Sequence, residues 1–201
     1  ASSDQAKELI DLAEKKNLTI MVDHTFLFNS AVHKIKELVD DGSLGDLYYY
    51  DSVRINLGLF QHDVNVIWDL APHDISILNH LINDLKPISV NAIGSKHFDQ
   101  GIEDVAYLHV KFENDLIANF HVNWLSPVKI RQTIIAGNKQ MLVWNDLESD
   151  EKIKVYDKGV DVETEEGVYD LLVGYRTGDM WSPQLSNIEA LKLETEHLVE
   201  S

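Results

Sequence analysis

The chain has 201 residues, 44% hydrophobic and 25% charged, which is ordinary for a globular protein with a proper core and excludes a disordered tail or a coiled coil. A formal charge of −17 argues against a nucleic-acid partner, because binding a phosphate backbone needs clustered Lys and Arg that release counterions. No apolar run approaches the ~20 residues of a membrane span, the start lacks a basic stretch leading into a hydrophobic one, and the absence of Cys removes disulfide and thiolate chemistry, so the reading is a soluble, cytoplasmic protein.

Ser2 and Gln5 form a capping box ahead of an amphipathic helix whose stripe is Ala6, Leu9, Ile10 and Ala13, ending near Lys16-Asn17. Leu18-Thr19-Ile20-Met21-Val22 follows with almost no alternation, the pattern of a strand buried on both faces. One helix and one such strand make no domain; residues 1–23 therefore read as the tail of a doubly wound unit, and 24–201 as a second domain. Asn29-Ser30-Ala31 opens another helix, with Val32, Ile35, Leu38 and Val39 inward and Asp41-Gly42 as its stop. Asp46 to Leu57 is a long strand that delivers Arg54 and Asn56 to one side by two-residue alternation.

The run Asn65-Val66-Ile67-Trp68-Asp69-Leu70-Ala71-Pro72-His73-Asp74 enters a helix with Ile77, Leu78 and Leu81 at helical spacing. Pro72 is tolerated without loss only in the first turn, which places the start at Asp69 as N-cap and the end near Asp84. Asp69 and His73, four apart, then share a face, and a carboxylate beside an imidazole suits proton transfer near neutral pH. The plainer alternative is a capping Asp69 and a hydrogen-bonded, half-buried His73.

Strands at hairpin spacing follow: Ile88–His97, Val105–Glu113, Leu116–Trp124, Ile130–Ala136 and Met141–Trp144, with Asn114-Asp115 and Gly137-Asn138 as turns. Their alternation gives a largely antiparallel mixed sheet with helices on one face, an α/β (α+β) fold. The other face is read as rich in Tyr, His, Phe and Trp, hence as a surface that pairs subunits into a homodimer or tetramer. Lys152 to Val173 adds two or three edge strands. Asn187 to Glu200 is a helix with Ile188, Leu191, Leu193 and Leu198 as partial core, and without a Gly or Pro stop it reads as cut mid-element. The acidic crowd at 146–170 lacks the Asp-x-Asp-x-Asp-Gly pattern of a calcium loop, and His73 and His80, seven apart, are too widely spaced for a helical metal pair, so no metal is assigned.

Together with Val22-Asp23-His24-Thr25-Phe26, Gly42-Ser43-Leu44-Gly45-Asp46, Val53-Arg54-Ile55-Asn56-Leu57-Gly58, Trp124-Leu125-Ser126-Pro127-Val128-Lys129-Ile130-Arg131 and Tyr175-Arg176-Thr177-Gly178-Asp179, the Asp69–His73 run resembles the Gfo/Idh/MocA family of NAD(P)-dependent sugar and polyol dehydrogenases over nearly the whole chain. The resemblance implies that Asp69 and His73 are catalytic and that Arg54, Asn56, His24 and Trp68 touch a sugar or nucleotide-sugar substrate, Arg being suited to carboxylate or phosphate. It implies NAD or NADP in the full-length protein, whereas this chain has neither the G-x-G-x-x-G turn nor the family's Glu-Lys-Pro lysine. The expectation is a substrate domain preceded by the last helix and strand of a Rossmann-like domain, binding no cofactor by itself and inactive alone. Two other readings remain from sequence: a cofactor-free binding or dimerisation module, and a metal-dependent hydrolase using Asp69, His73 and His80.

Overall fold

The computed structural model describes residues 2–58, 61, 63–83, 85–98, 101–157, 159–162, 173–176 and 178–200. Helices are α1 (Ser3–Lys16), α2 (Ser30–Asp40), α3 (Val66–Ile82) and α4 (Ala190–Glu200), with a 3₁₀ turn at Thr25–Phe28. Strands are β1 (Leu47–Leu57), β2 (Pro87–Ser95), β3 (Val105–Phe112), β4 (Ile117–Asn123), β5 (Leu125–Gly137), β6 (Met141–Asn145), β7 (Ile153–Tyr156), β8 (Gly159–Val162), β9 (Val173–Arg176) and β10 (Met180–Trp181). Eight of them form one sheet in the order β10-β7-β6-β5-β1-β4-β3-β2, and β8 and β9 pair separately. Every neighbour in the large sheet is antiparallel except β1 and β4, which run parallel at its centre. The mixed, largely antiparallel sheet with helices against it is the expected fold.

The hairpins lie where turn chemistry allows them. Asp115 sits at φ 64° in the β3–β4 turn, a left-handed position that Asp tolerates. At Gly137, which leaves β5, a Cβ would stand 2.1 Å from the Leu44 carbonyl oxygen, so only glycine lets the two backbones approach. Between sheet and helices, Ala31, Val32 and Ile35 of α2 and Val66, Ala71, Ile77 and Leu81 of α3 meet Tyr50, Ala118, Phe120, Val122, Trp124 and Ile135. A fully buried Ile or Leu of this kind contributes about 1.5–3 kcal/mol.

Five expectations are corrected. The α3 helix begins a turn earlier than predicted: Asn65 is the N-cap, its side chain accepting from the Trp68 amide, and Asn65 Nδ2 also donates to Glu103 Oε2 at 2.9 Å. Asp69 therefore lies inside the helix, and Pro72 lies in its second turn, where it leaves the Trp68 carbonyl without its usual donor. Residues 18–22 form no strand, and Leu18, Ile20 and Val22 are exposed, because no strand among the described residues pairs with them. The capping box on α1 is present as predicted, yet its apolar stripe is uncovered too. On α4, Ile188 (just before it), Leu191 and Leu198 are exposed, and the buried residue is Glu194, because the helix meets the rest of the chain mainly at the Thr25–Phe28 turn. Finally, Phe112, Phe120, Trp124 and Trp144 belong to the helix-facing core; the open face carries Tyr107, His109, Ile117 and His121 instead. Asp84, where the sequence predicts the end of α3, lies outside the described residues.

Candidate active site at the head of α3

The first two turns of α3 are braced from both sides. The Val66 amide donates to the Glu103 carbonyl at 3.0 Å, and Trp124 at the end of β4 donates its indole Nε1–H to Asp69 Oδ2 at 2.8 Å. Trp124 is fully buried and Asp69 half-buried, so the carboxylate is fixed by a rigid donor while keeping its second oxygen. One turn on, His73 is also half-buried. Its ring meets the edge of Phe26 with centroids 5.3 Å apart. Burial pushes the imidazole below its ordinary pKa, and the Arg54 guanidinium pushes it the same way; Asp74 and Asp69 act in opposition but do not prevail. The ring is thus held neutral, with its protonation linked to the charges around it.

Those charges are arranged in a layer beneath. Arg54, inward on β1, forms a bidentate pair with Asp74 on α3, Nε to Oδ2 at 2.7 Å and Nη2 to Oδ1 at 2.9 Å. Both side chains are almost wholly buried. Burial alone would lower the guanidinium's pKa, but the Asp74 bonds and charge more than offset it and raise it. Tyr50 Oη lies 3.4 Å from the Asp74 carbonyl, and burial raises that phenol well above its usual value. Arg131 on β5, opposite Arg54 in register, comes to 5.8 Å of the Phe26 ring centroid, and its Nη1 is 3.5 Å from Asp146 Oδ2.

Asp69 and His73 lie four residues apart on α3, and the Asp69 charge is among those acting on the imidazole. Trp68, also on the first turn, is 66% exposed. Asn56, at the register shift between Ile55 and Leu57 near the end of β1, is half-buried, and His24 precedes the 3₁₀ turn, half-buried. Arg54 is placed differently from the expectation: its fork is spent on Asp74 rather than presented outward. Sequence reasoning missed Phe26, Trp124 and Asp74 as supports of the pair; the only local signal was that Asp74 follows His73 directly, since their partners come from strands far along the chain. Asp23 is likewise unforeseen. Its carboxylate is held below the usual range by the Thr25 hydroxyl first and by Glu194 second, and His73 acts in the same direction. Among the described residues no three metal-ligating side chains converge to hold an ion, and no helix is long and apolar enough to cross a membrane. A groove of about 690 Å³ lies between Asn29, Ser149 to Lys152 and Ser182 to Ile188, and neither Asp69 nor His73 lines it.

The GFO/IDH/MocA C-terminal domain family matches residues 32–143, more than half of the chain. The chain belongs to the Gfo/Idh/MocA family. That match contains β1, α3 and the whole run from Arg54 through Asp69 and His73 to Arg131. An oxidoreductase of Streptococcus pneumoniae serotype 4, named as uncharacterized, is 34% identical over 134 residues, covering 58% of this chain and 35% of that protein. The match thus spans about a third of the length of that relative. UDP-N-acetylglucosamine 3-dehydrogenase GnnA from Acidithiobacillus ferrooxidans superposes with a TM-score of 0.75 at 18% identity, over 100% of this chain and 58% of that one. The WlbA dehydrogenase from Bordetella pertussis, solved with NADH and UDP-GlcNAcA, gives 0.64 at 13% identity, over 71% and 45%. At these identities the solved structures show a shared fold.

Proposed function

We propose that this Gfo/Idh/MocA chain is the substrate-binding and catalytic part of an NAD(P)-dependent dehydrogenase that oxidises a hydroxyl of a sugar or nucleotide sugar. The observation that carries the reading is the pair on successive turns of α3: Asp69 fixed by Trp124, and one turn on a half-buried His73 whose pKa burial pushes below the ordinary imidazole value. His73 takes the proton of the reacting hydroxyl, and Asp69 orients the ring or the substrate and favours the imidazolium once formed. Trp68, exposed on the same turn, offers a flat apolar surface to a sugar ring, with His24 and Asn56 as further polar contacts.

The dinucleotide does not fit this chain. There is no glycine-rich turn between a strand and a helix N-terminus, and the N-terminus of α1 is occupied by its own capping box. We assign NAD or NADP to a part of the full-length protein outside this chain, where it supplies the hydride acceptor, and residues 1–23 to the edge of that domain. GnnA is named as acting on a UDP-sugar and WlbA was solved with NADH and a UDP-sugar acid; both support the substrate and cofactor classes. The test is reduction of NAD⁺ and NADP⁺ by the full-length protein across UDP-hexosamines, UDP-sugar acids and free polyols, followed by nicotinamide absorbance. Turnover on a UDP-sugar is expected; no reduction by any of these hydroxyl donors would sink the proposal.

The open sheet face is proposed as the surface that pairs two copies. Tyr107 stacks on His121 with centroids 4.3 Å apart and planes 11° from parallel, beside the exposed Ile117. His121 Nε2 is shielded from solvent and has no hydrogen-bond partner among the described residues. Sedimentation of the full-length protein is expected to give a dimer or tetramer, and a monomer at micromolar concentration would overturn the assignment.

A further inference from the structure

Three side chains from three elements stack against one another next to the candidate catalytic imidazole. Phe26 comes from the 3₁₀ turn Thr25–Phe28, Arg54 from β1 and His73 from α3. The Arg54 Cζ lies 4.5 Å from the Phe26 ring centroid, within the range of a cation–π contact. On the imidazole side the ring centroids are 5.3 Å apart at 63°, an edge-on arrangement favoured by the ring quadrupoles. The guanidinium is itself immobile, because both of its bonds to Asp74 are short and both side chains are buried. An ion pair so placed cannot also grip a substrate carboxylate without giving up Asp74, and a buried charge left unpaired is costly. The buried pair therefore makes a poor substrate contact and a good foundation. Phe26 rests on that foundation and presents its ring to His73.

We propose that Phe26, clamped on Arg54 and through it on Asp74, is a positioning residue that fixes the His73 imidazole for proton transfer. This rests on the reading of His73 as the base. An aromatic wedge suits the task because it restricts ring rotation without offering a hydrogen bond that would compete with the substrate hydroxyl. It also covers one side of the imidazole, and two guanidinium groups gather on the same phenyl ring, Arg54 Cζ at 4.5 Å and Arg131 Cζ at 5.8 Å from its centroid. The charged groups that face His73 are Asp69 and Asp74 on its own helix, Arg54 on β1, Arg131 on β5 and Asp23 before the 3₁₀ turn. Burial is the largest influence on the imidazole and acts in the same direction as the two arginines.

The test compares Phe26→Leu, which keeps apolar bulk, and Phe26→Tyr, which keeps the ring, in the full-length protein. For Phe26→Leu, kcat is expected to fall about tenfold with KM changed less than about twofold, the mark of lost orientation rather than lost binding. The His73 imidazole, followed by NMR titration, should move up toward its ordinary midpoint as water reaches the ring, and Phe26→Tyr should restore both. The titration needs no turnover, so it reports on Phe26 even if another residue proves to be the base, a failure that His73→Ala reveals separately. The proposal is overturned if Phe26→Leu leaves kcat unchanged, if the loss falls on KM alone, or if the His73 midpoint does not move.

Discussion

His73→Ala in the full-length protein is expected to lower kcat by roughly 10²–10⁴-fold while KM for the sugar changes little, because a positioned acid–base group acts in the transition state rather than in ground-state binding. The pH profile sharpens this. His73 works as a base only when neutral, and burial followed by the Arg54 charge pushes its pKa below the ordinary imidazole value. The protonated, inactive form therefore takes over at lower pH than for a free imidazole. The acid limb of kcat/KM should lie below about 6.5, the usual imidazole value, and disappear in the His73→Ala variant. Undiminished kcat in that variant would end the assignment of His73, and an acid limb above the ordinary range would contradict its environment.

The largest effect on stability should come from Asp74→Ala, at about 3–5 kcal/mol, because it leaves the Arg54 guanidinium buried without its partner. The two side chains are only 5% and 3% exposed, so solvent cannot take over the role of Asp74. The penalty belongs to the stranded charge more than to the bond. Replacing both partners together, Arg54→Met with Asp74→Leu, is expected to recover most of the loss in folding while leaving activity impaired through Phe26 and His73. Urea unfolding midpoints of the single and double variants measure this; an Asp74→Ala loss below about 1 kcal/mol would show that water enters the site and relieves the charge.

The hairpins and the long helices were legible in the sequence because their signals are local. Alternation in β3 and β4, the Asn29 cap of α2 and the Ser2–Gln5 capping box all lie within a few residues of what they determine. The Asp69–His73 spacing is local in the same way. The start of α3 was misplaced because Pro72 carries a strong preference for a first turn, and Asn65 with its bond to Glu103 overrode it. Arg54 was expected to meet substrate and is instead buried and spent on Asp74, since alternation places a residue on one side of a strand and tells nothing about what stands there. Residues 18–22 show the same limit from the other direction: an apolar run specifies a strand only when neighbouring strands exist to pair with it. The Tyr175–Asp179 stretch that contributed to the family resemblance falls partly outside the described residues, with Thr177 among those omitted.

The lone parallel pair at the middle of the sheet bears on how the domain assembles. β1 has no neighbour close to it in the chain: Tyr49 is matched with Ile117 and Leu47 with Gly137, so both of its edges wait for segments synthesised much later. β2, β3 and β4 pair with their neighbours in the chain, as do β5 and β6, whereas β1 lies between β4 and β5 and pairs only across long separations. High contact order of this kind makes for slow folding and a nascent chain that leaves an aggregation-prone strand unpaired. The ribosome delivers the strand carrying Arg54 before most of the strands it pairs with, and the buried Arg54–Asp74 layer beneath His73 cannot form until α3 and the later strands have emerged.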